Sequence, residues 1–214
     1  MNQDDTMISH QARYDNWAPD YNKDVAARHY DGPQYLVDYL LETADSGTIA
    51  VDPNEPSFKV LDVGCGSGLV GTQLREKGFQ HIDGTDLSQG MIAEAHRSGA
   101  YQTLMAWINL NEPLPFFLQG QYNLTICCGV FALDFVEPKS LRYLVQTTQP
   151  GGTIIMTTKS TYYDTYDFEG YYQRLVDAGK LVLVDCRKNK PYLGKEADGH
   201  YWIFTVPTQQ EPIV

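Results

Sequence analysis

The sequence has little of three features that would each mark a class of protein. It contains four cysteines in 214 residues and no Cys-x-x-Cys pair, so we expect neither a disulfide framework nor a metal site. No apolar run reaches the roughly 20 residues of a membrane-spanning helix. Basic residues are also scarce, with 16 Lys and Arg against 27 Asp and Glu. Because phosphate backbones repel an acidic surface, a nucleic-acid partner is not expected.

A secretory signal is missing as well. The opening residues MNQDDTMISH have neither the basic nor the apolar region of a signal peptide. We therefore expect an intracellular, cytoplasmic protein with reduced thiols and no membrane partner. What remains is a globular composition, with 43% apolar residues, 12% aromatic residues and an unusually large number of tyrosines, 15.

The chain changes character after the proline-containing segment at 51–58. Before it, helical spacing predicts two helices, one at 17–30 and one that begins near Pro33. After it, short apolar runs alternate with helical patterns, which is the order of a parallel sheet covered by crossover helices. One apolar run contains adjacent Cys127 and Cys128, which would point to opposite faces of such a sheet.

The end of the chain follows a different pattern. The apolar runs at 180–187 and 200–206 are separated only by a loop, so we expect them to pair as an antiparallel hairpin, with the basic run at 187–190 in its loop. The sequence therefore predicts a three-layer α/β Rossmann-like fold with a mostly parallel seven-stranded sheet and a C-terminal antiparallel hairpin. We predict a single domain, with a helical lid at 1–57 and a core at 58–206.

The strongest chemical signal is the segment VLDVGCGSG at 60–68, between a predicted strand and a predicted helix. Its glycines allow the backbone to turn sharply and to approach a ligand, in front of the unpaired N–H groups of a helix N-terminus. A dinucleotide fingerprint would require glycine at the position of Leu69, and Asp62 would repel a pyrophosphate. A carboxylate at this place favours a ligand that carries a positive charge.

A second signal is Asp86, which ends the next predicted strand, 22 residues after Gly64. The two oxygens of this carboxylate can accept hydrogen bonds from both hydroxyls of a ribose. Together with Asp62, Asp86 predicts a site for a nucleoside that carries a cation and no pyrophosphate.

Four segments in this order resemble the class I S-adenosylmethionine-dependent methyltransferases: VLDVGCGSG, GTDLS, NLNEPLPF and QPGGTIIMTT. The resemblance covers residues 58–206, including the terminal hairpin. The N-terminal segment YDNWAPDYNKDVAARHY is similar to that of the Williams-Beuren syndrome region methyltransferase-like proteins. The cofactor that this resemblance implies is S-adenosylmethionine, with S-adenosylhomocysteine as its product.

The resemblance also implies roles for residues around the glycine-rich segment. Gly64 and Gly66 would line the methionine part of the cofactor, and Asp62 would help to hold its ammonium group. Asp86 would bind the ribose hydroxyls. Three further positions of the segment are assigned to the cofactor site: Cys65, Gly68 and Leu69.

The later segments imply the remaining contacts. Leu87 and Met91 would pack on the adenine, and the backbone of Leu110 would meet the same ring. Asn109 stands where the family often has Asp, and its amide oxygen would accept a hydrogen bond from the exocyclic amine. Cys128 and Gly129, at the end of a strand, would lie beside the reactive centre, and Trp17 and Tyr21 of the lid would close over the methionine end of the cofactor.

The reaction that the resemblance implies, an in-line displacement, depends more on alignment than on a catalytic group. We therefore assign no catalytic residue, and the candidates for a general base are Asp134, His29 and Tyr163. We predict a small-molecule acceptor, because the short lid includes no further domain that would bind a macromolecule. Three alternatives stay open: a protein or peptide methyltransferase, a cofactor-binding module without transferase activity, and a dinucleotide oxidoreductase.

The distribution of charge and of tyrosines predicts the character of the acceptor. Residues 1–60 contain 11 Asp and Glu against 4 Lys and Arg, together with five tyrosines, and five further tyrosines lie at 162–172. These two segments would form an aromatic, acidic mouth around the acceptor. Such a mouth favours a cationic or neutral acceptor over an anionic one.

Overall fold

The computed structural model describes residues 3–208, and their side chains from Ser9 onward. The α-helices in this part of the chain are α1 (Gln3–Ala27), α2 (Gly32–Asp45), α3 (Leu69–Glu76), α4 (Gln89–Ser98), α5 (Leu141–Thr147), α6 (Ser160–Thr165) and α7 (Phe168–Asp177). The strands are β1 (Lys59–Val63), β2 (His81–Thr85), β3 (Thr103–Met105), β4 (Tyr122–Phe131), β5 (Thr148–Lys159), β6 (Val182–Leu193) and β7 (Ala197–Thr205). Among these helices, none combines the length and the apolar character needed to cross a bilayer.

The strands form one mixed sheet in the order β3-β2-β1-β4-β5-β7-β6. The first five strands of this order run parallel to one another, whereas β7 is antiparallel to both β5 and β6. The predicted fold, a mostly parallel seven-stranded sheet with a C-terminal antiparallel hairpin, is therefore confirmed. The strand order reverses between β1 and β4, and ligands of open α/β sheets bind beyond the carboxyl ends of strands at such a point.

Both faces of the sheet are covered, which explains why its central strands are apolar without alternation. Adjacent residues of β4 illustrate this. Cys127 packs in a core cluster that contains Trp202 and Phe168, and Cys128 packs in a second cluster that contains Leu36. The prediction that the two thiols point to opposite faces is confirmed.

The two N-terminal helices occupy different places. α1 spans Gln3–Ala27, so it begins well before the helix predicted at 17–30, and its side chains lie over the carboxyl ends of the strands. α2 has Pro33 in its first turn and buries Leu36 and Leu40 in a core cluster with strand residues. Within the segment predicted as a lid, α1 covers the cavity described below, and α2 belongs to the helical layer on one face of the sheet.

The basic run at 187–190 lies within β6 and not in the hairpin loop, so that interpretation is wrong. Its side chains make specific contacts: Arg187 forms an ion pair with Glu42 of α2 at 2.9 Å, and Lys188 donates a hydrogen bond to the hydroxyl of Tyr163 at 2.7 Å. β6 is the edge strand of the sheet. Because edge strands carry charged side chains, polarity alone does not distinguish them from loops.

Candidate functional site

A cavity of about 320 Å³ lies at the carboxyl ends of the parallel strands, and we call it the main cavity. Residues that end or follow β1, β2, β4 and β5 form its floor, α1 forms its roof, and the β6–β7 hairpin closes one side. The lining residues discussed below are Gly64, Gly66, Asp86, Cys128, Gly129 and Lys159 from the floor, His10, Arg13, Tyr14, Trp17 and Tyr21 from α1, Arg28 and Tyr30 from the segment that follows α1, and Tyr192 from the hairpin.

The turn after β1 brings the backbone close to the main cavity. The N–H groups of Gly64 and Cys65 donate to the carbonyl of Thr85 at 2.7 and 2.9 Å, which fixes the turn against β2. Gly64 has φ +70°, and a Cβ at this position would lie 2.2 Å from Cγ2 of Val130. Gly66 has φ +55° and open space where a Cβ would be. A side chain is thus excluded at the first glycine, and the second leaves room for a ligand.

Asp86 follows β2 and lines the main cavity. Its Oδ2 accepts from the backbone N–H of Gly66 and its Oδ1 from that of Ser88, each at 2.8 Å. Burial raises the pKa of Asp86 to about 6, although these backbone hydrogen bonds oppose the rise. Each oxygen retains acceptor capacity, so the carboxylate can bind two neighbouring hydroxyl groups.

Asp62 is the fully buried carboxylate of β1. Its Oδ2 accepts from the hydroxyl of Tyr101 at 2.7 Å, and its Oδ1 has no hydrogen-bond partner among the described residues. Burial raises the pKa of Asp62 to about 7, the Tyr101 hydrogen bond lowers it, and nearby Asp86 raises it. Asp62 lines a smaller cavity of about 40 Å³ that shares Gly64 and Gly66 with the main cavity. A half-satisfied buried carboxylate favours a cationic group beside it.

Two phenolic hydroxyls and a thiol meet where β4 reaches the main cavity. The hydroxyl of Tyr30 lies 3.2 Å from that of Tyr192 and 3.7 Å from Sγ of Cys128. A Cβ at Gly129 would lie 2.7 Å from the Tyr30 hydroxyl, so glycine is required there for close packing. Burial raises the pKa of both tyrosines well above the usual value. Both hydroxyls therefore stay protonated at neutral pH and can donate hydrogen bonds.

α1 is attached to the loops of the floor by two of its side chains. The carboxylate of Asp15 accepts from the hydroxyl of Ser88 at 2.6 Å and from the backbone N–H of Gly90 at 2.8 Å, at the N-terminus of α4. Oδ1 of Asn22 accepts from the hydroxyl of Ser67 at 2.5 Å. A carboxylate is favourable at a helix N-terminus, where N–H groups lack partners. The roof is thus fixed to the loops after both β1 and β2.

Most of the residues predicted from the sequence line the main cavity, namely Trp17, Tyr21, Gly64, Gly66, Asp86, Leu87, Met91, Asn109, Leu110, Cys128 and Gly129. Three others line the smaller cavity: Asp62, Cys65 and Leu69. Gly68 lines neither cavity. Its φ of +94° places it at the start of α3, where a Cβ would lie 3.2 Å from the Cα of Ala95.

The three candidates for a general base lie outside both cavities. Asp134 and His29 are exposed. The ring of Tyr163 packs beside Trp202, with centroids 5.8 Å apart, and its hydroxyl binds Lys188. The structure therefore does not bring these side chains to the residues that the sequence assigned to the cofactor.

Sequence reasoning missed ten polar or aromatic residues that line the main cavity: His10, Gln11, Arg13, Tyr14, Arg28, Tyr30, Ser88, Phe135, Lys159 and Tyr192. For two of these residues, Tyr14 and Lys159, the sequence contains a pattern from which a place in the cavity could have been predicted. Tyr14 precedes Trp17 by three residues and Tyr21 by seven, so the three rings share one face of α1. Lys159 is the last residue of β5, at the edge of the sheet where ligands bind. Tyr192 has no local signal, since only the return of the hairpin brings it to the cavity.

The mouth predicted from the sequence is confirmed in part, because three tyrosines of the N-terminal segment, Tyr14, Tyr21 and Tyr30, line the main cavity. Its acidic character and its tyrosines at 162–172 were predicted wrongly. None of the acidic side chains described at 9–57 lines either cavity. The tyrosines at 162–172 pack in or against the core cluster that contains Trp202. Among the side chains that the structure describes, the charged groups of the main cavity are one carboxylate and three cations, namely Asp86, Arg13, Arg28 and Lys159.

Comparison with known protein sequences finds a methyltransferase family and several proteins described as methyltransferases. Residues 60–152 match the family described as a methyltransferase domain. Human Methyltransferase-like protein 27 is 36% identical over 148 residues, which are 69% of this chain and 56% of that protein. The malonyl-[acyl-carrier protein] O-methyltransferase of Pectobacterium atrosepticum is 28% identical over 143 residues, which are 64% of this chain and 54% of that protein. The chain spans about half the length of the curated relatives it matches.

Solved structures share the fold. The TehB-like S-adenosylmethionine-dependent methyltransferase from Corynebacterium glutamicum has a TM-score of 0.62 at 20% identity, covering 91% of this chain and 98% of that one. Magnesium protoporphyrin IX methyltransferase from Synechocystis, solved with S-adenosylhomocysteine, has a TM-score of 0.60 at 16% identity, covering 86% and 85%. Residues 60–152 therefore match a methyltransferase domain, the chain is similar to human Methyltransferase-like protein 27, and its fold is that of S-adenosylmethionine-dependent methyltransferases.

Proposed function

We propose that this chain transfers the sulfonium methyl group of S-adenosylmethionine to a nucleophilic atom of a small molecule in the main cavity. The observation that supports a small acceptor is the cover that α1 provides over a cavity of about 320 Å³, a size at the lower end of small-molecule sites. A cytoplasmic location belongs to the same proposal, and the unpaired thiols of the four cysteines support it.

The residues present fit the cofactor. Asp86 has acceptor capacity on both oxygens for the ribose hydroxyls, and the unpartnered Oδ1 of Asp62 suits the ammonium group. The open space at Gly66 leaves room for the methionine part. Leu87 and Met91 line the same cavity and suit the adenine ring. When bound, the cofactor supplies an electrophilic methyl group.

The chain's own residues contribute orientation and the exclusion of water. The hydroxyls of Tyr30 and Tyr192 bind each other, so one of the two keeps its proton to donate a hydrogen bond that orients the acceptor beside Gly129. Alignment of two reacting atoms can contribute roughly 7 to 11 kcal/mol, so a base is required only when the acceptor arrives protonated. His10 is our candidate for accepting that proton, because it lines the cavity and its Nε2 is buried without a hydrogen-bond partner among the described residues.

Calorimetric titration with S-adenosylhomocysteine tests the cofactor site. Asp86→Asn removes the charge and half of the acceptor capacity, so its affinity should fall at least about tenfold, the change expected from losing hydrogen bonds to a charged group. Asp164→Asn is the matched control, because Asp164 is an exposed carboxylate of α6. Equal affinities of the wild-type chain and Asp86→Asn would contradict the proposed site.

Incubation with methyl-labelled cofactor tests the acceptor class. After incubation with a whole-cell extract, we expect the methyl label to appear in acid-soluble products of low mass other than the cofactor. Label confined to acid-insoluble protein would favour the protein methyltransferase instead. Binding of cofactor without transfer to any fraction would favour the module without transferase activity.

A further inference from the structure

We propose that the methyl acceptor carries a carboxylate that binds between Lys159 and Arg13. The inference rests on the proposed function and adds the charge of the acceptor to it. Lys159 is the last residue of β5 and Arg13 belongs to α1, and both line the main cavity. An anion between them would therefore connect the floor of the cavity with its roof.

The position of Lys159 in the sheet places the anion on the acceptor side. Asp86 follows β2, and the strands β1 and β4 separate β2 from β5. Three strand spacings correspond to roughly 14 Å. Cys128 and Gly129 lie on β4, between the carboxylate assigned to the ribose and the ammonium of Lys159. Along the sheet edge, the order is therefore the ribose site at β2, the methyl-transfer position at β4 and Lys159 at β5. A group that Lys159 binds lies on the side of the methyl-transfer position that is away from the ribose.

Two of the three cations that the described side chains bring to the main cavity, Lys159 and Arg13, form no ion pair with a described residue. The carboxylate of Glu196 acts on Lys159 only from a distance, where its charge raises the pKa of the lysine. Arg28 is neutralised by a bidentate pair with Glu196, in which Nε donates to Oε1 at 2.8 Å and Nη2 donates to Oε2. Lys159 has neither an ion pair nor a hydrogen bond of its side chain among the described residues, and its Nζ lies 5.9 Å from the ring centre of Tyr192. The contacts of the Arg13 guanidinium with described residues are two aromatic rings of α1, with ring centres 6.0 Å away. A contact with a ring face does not use the N–H donors.

The neighbouring polar groups are donors as well. The hydroxyls of Tyr30 and Tyr192 stay protonated because burial raises their pKa values, and they lie on the same side of the cavity as Lys159. They bind each other at 3.2 Å, so one of the two protons can be donated to a ligand. Burial and the charges of Arg28 and Arg13 lower the pKa of Lys159, so an added negative charge would stabilise its ammonium form. The side chains of Lys159 and Arg13 and the tyrosine hydroxyls beside them are hydrogen-bond donors. They suit a ligand group that only accepts hydrogen bonds, and an ionised carboxylate is such a group.

Chemical treatment of the acceptor pool tests this inference. A metabolite extract is divided into three portions: one untreated, one treated with carbodiimide and ammonia to convert carboxylates into amides, and one treated with alkaline phosphatase. The reagents are removed before incubation with the chain and methyl-labelled S-adenosylmethionine. We expect labelled product to be lost from the carbodiimide portion and retained in the phosphatase portion.

The other outcomes distinguish a failure of the carboxylate inference from a failure of the proposed methyltransferase function. Label that survives the carbodiimide would overturn the carboxylate, and label lost only after phosphatase treatment would assign a phosphate to the same cations instead. Absence of label from all three portions would overturn the proposed function itself, and this inference with it.

Matched variants test the residues. Lys159→Gln and Arg13→Gln should each require at least about tenfold more extract for half-maximal labelling, because a hydrogen-bonded charge is lost. Lys180→Gln, which changes an exposed lysine after α7, should behave as the wild-type chain. Titration with S-adenosylhomocysteine shows that each variant is folded, and Arg13 is exposed enough for its variant to fold. Wild-type concentration dependence in both cavity variants would overturn the inference.

Discussion

At the scale of single residues, Asp62 predicts an unusual pH dependence of cofactor binding. Its carboxylate must be ionised to bind an ammonium group, and its pKa is raised to about 7 by burial. Affinity for S-adenosylhomocysteine should therefore weaken about tenfold between pH 8 and pH 6, as the ionised fraction falls. Calorimetry across this range measures the effect, and Asp62→Asn should show weak binding that hardly changes with pH. A flat profile in the wild-type chain would contradict this assignment.

The raised pKa of Asp62 also affects the stability of the chain without cofactor. Cofactor affinity should rise with pH, whereas this contribution to stability should fall. The unfolded chain loses the proton of Asp62 near pH 3.8, whereas the folded chain keeps it to about pH 7. Between these values the folded state binds more protons, so its free energy of unfolding should fall as pH rises. Denaturation at about pH 5 and pH 7.5 measures this contribution when the wild-type chain is compared with Asp62→Asn, which should lose it.

Tyr101 controls this carboxylate from a distance in sequence. Its hydroxyl donates to Asp62 and accepts from the N–H of Gly71 at 3.2 Å, and its ring lies where a Cβ at Gly71 or Gly84 would be only 2.2 or 2.9 Å away. Tyr101→Phe keeps the ring and removes a hydrogen bond that lowers the pKa of Asp62. The midpoint of the pH profile should rise by about one unit. An unchanged midpoint would show that the hydroxyl does not tune Asp62.

These residues also show how far local sequence reaches. Asp62 and Asp86 each lie in a short motif next to a glycine or a strand end, so the sequence predicted them. Tyr101 and Tyr192 reach their partners only through the folded sheet, over separations of 39 and 162 residues. Contacts between residues so far apart in the chain cannot be predicted from the spacing of neighbouring residues.

At the scale of elements, we expect the attachment of α1 to the floor of the main cavity to slow the dissociation of a bound ligand. Asp15→Ala removes both hydrogen bonds that attach α1 to α4, and should increase the dissociation rate of S-adenosylhomocysteine about tenfold or more. Asp20→Ala is the control on the same helix, because Asp20 is exposed. Stopped-flow displacement measures both rates. Equal rates would show that the roof does not retain the ligand.

The length of α1 could not be predicted because its first half has no regular apolar spacing. Its position depends on side-chain contacts such as Asp15 with Ser88 and Asn22 with Ser67, which are tertiary. The strands were predicted well since burial on both faces leaves a nearly continuous apolar run. β6 was predicted too short, because its outer half is polar like a loop.

At the scale of the whole molecule, the core cluster that contains Trp202 should carry much of the stability. Trp202 is fully buried and donates from Nε1 to Oγ1 of Thr158 at 3.0 Å. Trp202→Ala should lower the free energy of unfolding by about 3 to 5 kcal/mol. Trp107→Ala is the control, because Trp107 is 66% exposed, and should cost no more than about 0.5 kcal/mol. Denaturant unfolding measures both, and equal losses would contradict the assignment.

Composition misled us at this scale. The tyrosines at 162–172 were assigned to the acceptor site because rings often line ligand cavities, but a hydrophobic core buries rings just as well. The net charge of −11 likewise describes the outer surface. The described side chains give the main cavity the opposite balance, three cations against one carboxylate. Two of these cations, Arg13 and Arg28, lie in the acidic N-terminal segment itself.

The junction between α1 and the hairpin has a consequence for biosynthesis. Arg28 binds Glu196, the backbone of Tyr30 pairs with Leu193, and the N–H of Gly194 donates to the carbonyl at position 29 at 2.8 Å. These contacts join residues translated early with residues translated late. A nascent chain therefore lacks the side of the main cavity that Tyr192 and Leu193 form until the hairpin has left the ribosome.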